Sequence, residues 1–125
     1  MSGAYHTVEV EELQAMKKGG PFQEVERAAR FFYQSKTSKQ LGDILALEKQ
    51  IVSGMNFKIT FAAEAGSSET VIITVFFQPW TKTIEILNIM PPIDGVTDET
   101  GRILPDVDQP IINWSIHLFI ILNQS

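Results

Sequence analysis

Side chains able to do acid–base, nucleophilic or metal chemistry are few in this sequence, and their spacing does not support such chemistry. The only histidines, His6 and His117, each lie in a peripheral segment, and no interval pairs them into a metal site or a Ser-His relay. The chain has no cysteine, so it has no disulfide, no thiolate ligand and no thiol nucleophile. The acids Asp94, Asp98, Glu99, Asp106 and Asp108 lack the regular pattern of a calcium loop and read as solvated charge. Asn113-Trp114-Ser115 and Asn123-Gln124-Ser125 match a weak glycosylation acceptor pattern that needs an export leader to matter. The expectation is no enzyme activity, no cofactor and no metal.

The chemistry the residues do suggest is non-covalent. Gln50-Ile51-Val52-Ser53-Gly54 places two β-branched apolar residues, a small hydroxyl and a glycine between two strand-like runs. Val and Ile favour extended backbone, and Gly supplies the positive φ or close approach of a tight connection. The five residues read as a hairpin tip with apolar side chains at its apex. Exposed apolar tips cost solubility and are usually kept for binding. A second break, Gln78-Pro79-Trp80-Thr81, puts an indole on a turn, because proline cannot continue a central ladder. The plainer reading of Ile51, Val52 and Trp80 is core packing at strand ends. Their grouping at one end of a sheet favours binding.

The elements that must position these tips follow from periodicity. Met1 to Thr7 is short and glycine-containing and reads as a mobile arm. Val8 to Lys18 is predicted as a short helix with early acids and late lysines, as the helix dipole prefers, and with Val10, Leu13 and Met16 on one face. Gly19-Gly20 ends it, and Pro21 suits the first position of the next helix. Phe22 to Gln34 is the clearest helix. Phe22, Val25, Ala28, Ala29, Phe32 and Tyr33 form its apolar stripe, opposite Gln23, Glu24, Glu26, Arg27 and Arg30. Phe31 falls outside the stripe, where packing against a strand edge would account for it.

Strand character begins near Leu41 and runs through Leu45 and Leu47 to Val52. Met55, Phe57, Ile59 and Phe61 then alternate with the polar Asn56, Lys58 and Thr60, and after the loop 64–69 Val71, Ile73, Val75 and Phe77 alternate with Thr70, Ile72, Thr74 and Phe76. Thr83 to Ile89 gives another strand. One helix followed by consecutive hairpin-linked strands predicts an α+β fold with the sheet's apolar face on the helix. Hairpin connections alternate between the ends of a sheet, and two strands separate the tips. Both tips therefore fall at the same end.

With both tips in place, the chain resembles the cystatins, inhibitors of papain-like cysteine proteases. Gln50-Ile51-Val52-Ser53-Gly54 is similar to their Gln-x-Val-x-Gly loop, and Pro79-Trp80 to their Pro-Trp loop, in the same order. Asn56 and the helix segment Ala29-Arg30-Phe31 add to the likeness, which covers roughly residues 19–90. The resemblance implies an antiparallel sheet of about four or five strands wrapped on one long helix. It also implies a hydrophobic wedge of N-terminal trunk and both loops that enters the protease cleft as a reversible, competitive inhibitor. Protease-binding residues would be Gln50, Ile51, Val52, Ser53, Gly54, Pro79 and Trp80 with a trunk glycine. Two places fit that glycine: Gly3, whose distance to Gln50 fits the family better, and the pair Gly19 and Gly20 beside the helix. The mixture is partly stefin-like and partly like the plant and secreted members.

At 125 residues the chain is large enough for one hydrophobic core. Residues 1–90 read as the cystatin-like domain, with an arm at 1–20, a helix at about 21–35 and strands over about 41–90. Residues 91–125 read as a proline- and acid-rich linker followed by an apolar extension. A net charge of −5 argues against nucleic acid or an anionic membrane as partner. No signal peptide is visible and no run is long and apolar enough to span a membrane. The expected place is the cytoplasm, or outside the cell if the chain is a processed form. In Ile111 to Leu122, alternate apolar residues could add an edge strand, pair with a second copy or aggregate. A monomer is expected, with strand exchange between copies as the route to a dimer. That dimer belongs to the competing reading, a cystatin-fold interaction or self-assembly module without inhibitory function.

Overall fold

The computed structural model describes residues 3–109. The apolar extension, His117 and both glycosylation patterns lie outside them. Chain order is β1 (His6–Thr7), α1 (Val10–Lys18), α2 (Phe22–Thr37), β2 (Ile44–Val52), β3 (Gly54–Ala62), β4 (Thr70–Gln78) and β5 (Thr83–Met90), with a 3-10 turn at Pro79–Thr81. The strands form one antiparallel sheet in the order β1-β2-β3-β4-β5. The fold is α+β, as the residue pattern predicts.

In place of one long helix there are two, of 9 and 16 residues. At about 1.5 Å per residue the longer spans roughly 24 Å. It ends at Ser38, whose left-handed backbone (φ 60°) lets its N–H reach the Gln34 carbonyl. The predicted stripe is its buried face: Phe22, Val25, Ala28, Ala29, Phe32 and Tyr33. All of them but Ala28 join the alternating inward residues Phe57, Ile59, Phe61, Val71, Ile73, Val75 and Phe77 in a single core. Phe22 and Phe57 meet edge to face with centroids 5.4 Å apart. Arg30 stacks its guanidinium over the Phe61 ring and donates to the Leu41 carbonyl.

Five residues depart from the expected pattern. Phe31 is 62 % exposed, and Val10 is 67 % exposed instead of facing the core with Leu13. Glu24 is buried, where its carboxylate pairs with Arg27. His6 and Thr7, expected in a free arm, pair with Lys49 and Glu48 of β2. Backbone hydrogen bonding alone accounts for that strand, since both side chains are exposed.

Residues 91–109, whose composition reads as a linker, are folded back along β5. Asn88 and Arg102 form a bridge, and the Ile89 N–H donates to the Gly101 carbonyl at 2.8 Å. Val96 and Thr97 are buried, and Ile93, Ile103 and Val107 pack against the core. Gln109 caps the run by bonding both the N–H and the carbonyl of Ile86 through its side-chain amide.

Candidate functional site at one rim of the sheet

The β2–β3 connection is minimal: Val52 and Gly54 are paired, leaving Ser53 alone at the apex. So tight a reversal depends on Gly54, whose φ is +121°. A Cβ there would stand 2.7 Å from the Phe77 carbonyl, so the first tip is pressed against the end of β4. Ile51 beside it is 60 % exposed, and Val52 is half-buried.

The β4–β5 connection lies at the same rim, because Met55 pairs with Phe77 and Gln78 with Thr83. Pro79, Trp80 and Thr81 make one 3-10 turn, closed by the Lys82 N–H to the Pro79 carbonyl at 3.0 Å. Pro79 at its first position loses nothing, since that N–H has no partner within the turn. Trp80 is 67 % exposed.

A residue with no signal in the sequence joins the tips. Gln78 Nε2 donates to the Ser53 carbonyl at 2.7 Å, while its Oε1 accepts from Thr81 Oγ1 at 2.6 Å. A glutamine at a strand end looks like any polar turn flank, so nothing in the sequence marks it.

The arm reaches this rim from the other side. The Gly3 N–H donates to the Ile51 carbonyl at 3.2 Å, and Gln50 Nε2 donates to the Gly3 carbonyl at 2.7 Å. Asn56, across the ladder from Gln50, donates to its Oε1 at 3.0 Å. Tyr5 lies under the Lys58 ammonium, 5.5 Å from ring centroid to Nζ. Burial first, and the Glu48 carboxylate second, hold the Tyr5 hydroxyl above the ordinary tyrosine pKa, while a contact with Asn56 opposes them. Gly19 and Gly20 sit elsewhere, in the turn between the helices, where the Gly20 carbonyl accepts the Gln23 N–H. The structure thus gathers Gly3, Gln50, Ile51, Val52, Ser53, Gly54, Pro79 and Trp80 at one rim.

The exposed side chains at this rim include Ile51, Ser53, Pro79, Trp80, Thr81 and Lys82. Among the described residues, no three His, Asp or Glu side chains are grouped to hold a metal ion, and no helix is long and apolar enough to cross a membrane. The chain matches no family model, no curated protein and no solved structure.

Proposed function

We propose that this chain is a cystatin-like, reversible and competitive inhibitor of papain-like cysteine proteases. The observation carrying the reading is the single rim where Gly3 bonds the Gln50–Gly54 tip directly and the Gln78 side chain bridges that tip to the Pro79–Thr81 turn. A sheet in sequential strand order, with its helices between β1 and β2, supports the same reading.

The mechanism asks no covalent chemistry of this protein. The rim enters the protease's active-site cleft as a wedge, and the arm lies along the non-primed side. No scissile peptide comes into line with the catalytic thiol, so the complex dissociates intact. Affinity comes from desolvating Ile51, Val52 and Trp80 against a preformed groove. An indole alone buries roughly 150–250 Å², and truncating a central aromatic anchor typically costs about 2–4 kcal/mol. The short tip and its bond to Gln78 hold that surface ready, so little ordering entropy is spent on binding.

Titrating papain and a cathepsin with the purified chain tests this. The expected result is reversible inhibition relieved by excess substrate, and loss of it in Val52→Asp, which puts a charge into the desolvated patch. An intact monomer that leaves both proteases active overturns the reading in favour of a non-inhibitory interaction module.

A further inference from the structure

The arm leaves the ladder before it reaches the rim. His6 faces Lys49 and Thr7 faces Glu48, and the Val8 N–H continues that register to the Leu47 carbonyl at 2.8 Å. In the same register Ala4 would face Ile51, yet it is the Gly3 N–H that reaches the Ile51 carbonyl. Three arm steps, from His6 to Gly3, therefore run beside two steps of β2. That extra residue is the geometry of a bulge, and a bulge interrupts the regular ladder bonds where it occurs.

A side chain fills the interruption. The Gln50 amide donates to the Gly3 carbonyl and at the same time accepts from Asn56 Nδ2. Each amide has a donor end and an acceptor end, so the Asn56 bond fixes which way the Gln50 amide points. With its oxygen engaged by Asn56, its nitrogen faces the arm. Asn56 Oδ1 is itself buried without a partner among the described residues.

We propose that Gln50 and Asn56 are positioning residues: a relay of two amides that replaces the ladder bond lost at the arm's bulge and docks Gly3 beside Ile51 before any partner arrives. This rests on the wedge reading for its consequence, though not for its geometry. Gln50 then acts on binding through the arm, by lowering the ordering cost of the trunk.

Backbone 15N relaxation on the full chain tests the relay, using Gln50→Glu and Gln50→Met. Glutamate keeps an acceptor for Asn56 but has no N–H for Gly3, and methionine keeps the length with neither. In both variants Gly3 and Ala4 should fall from sheet-like order to an order parameter below about 0.6, while His6 and Thr7, held by backbone bonds, stay at about 0.85. Asn56→Ala should loosen the same two residues less. Order retained at Gly3 in both Gln50 variants overturns the proposal, as does loss extending through Thr7, which would mean a general structural role. In papain kinetics the Gln50 variants should dissociate roughly tenfold faster. If the unaltered chain does not inhibit, the wedge reading fails, and the relaxation pattern still decides the relay.

Discussion

Gln78 and Ser53 are 25 positions apart, and the 2.7 Å hydrogen bond from the Gln78 amide to the Ser53 carbonyl is what makes two hairpin tips one surface. The other end of the same amide accepts from Thr81, so the apolar tip and the indole turn are braced by one side chain. Removing it should separate them. Gln78→Ala is expected to cost about 1 kcal/mol of stability, the usual net worth of an exposed hydrogen-bonded pair. Protease dissociation should quicken several-fold because the two tips are no longer preorganised. Denaturant melts beside biosensor off-rates check this. An unchanged off-rate would show that the tips hold their relation without the bond.

Trp80 separates binding from folding. At 67 % exposure the indole contributes little to the core, so Trp80→Ala should leave the unfolding midpoint within about 0.5 kcal/mol of the parent. Inhibition should weaken by about 2–4 kcal/mol, almost entirely through faster dissociation. A large stability loss would instead identify Trp80 as a packing residue.

The parts of the molecule legible in the sequence are those where burial and periodicity coincide. The α2 stripe and the alternation of Phe57, Ile59 and Phe61 are buried as their spacing requires, and counting hairpins places both tips at one rim. What stayed hidden is held by backbone or by polar contacts. His6 and Thr7 form a strand with exposed side chains, which leave no hydrophobic alternation to read. Glu24 is buried and pairs with Arg27, whereas charge alone reads as solvent-facing. Pro91, Pro92 and the acids after them look like a tether. Val96 and Thr97 nonetheless bury there, because turns bring isolated residues inward without any period. The anchoring of Gly3 depends on a bulge, and a bulge has no compositional mark.

The contact between α1 and the start of β2 should respond to acid. Lys17 Nζ donates to Asp43 Oδ1 at 2.8 Å, and the Ile44 N–H donates to the same oxygen. The Lys17 bond first, and the backbone bond second, hold the Asp43 carboxyl below its ordinary pKa, against a smaller opposing effect of burial. A depressed folded-state pKa contributes stability that is fully present above the unfolded value of 3.8 and is lost as pH falls through the folded value. The contribution is small, because the Asp43 side chain is 73 % exposed and solvent screens it. Carboxyl NMR titration should show Asp43 titrating below 3.8, and Lys17→Met should move it upward. An unmoved Asp43 would leave the backbone bond and the Arg30 charge as the causes.

Gly54 carries the sharpest steric requirement at the rim, and a second glycine allows it to be measured. Both Gly54 and Gly66 have positive φ, +121° and +78°. A Cβ on Gly66 meets nothing within 4 Å, whereas on Gly54 it stands 2.7 Å from the Phe77 carbonyl and 3.1 Å from the Phe76 ring. Gly66→Ala therefore reports the backbone strain alone, about 1 kcal/mol. Gly54→Ala adds a collision with backbone that cannot rotate away, and the total should reach about 3 kcal/mol or more. Because the strain is relieved only by moving the tip off β4, the Gln78–Ser53 bond should break with it, and inhibition should fall further than in Gln78→Ala. Equal losses in the two alanine variants, read as the shift in urea midpoint at constant slope, would mean that the tip is free of β4 and that the two turns do not form one rigid surface.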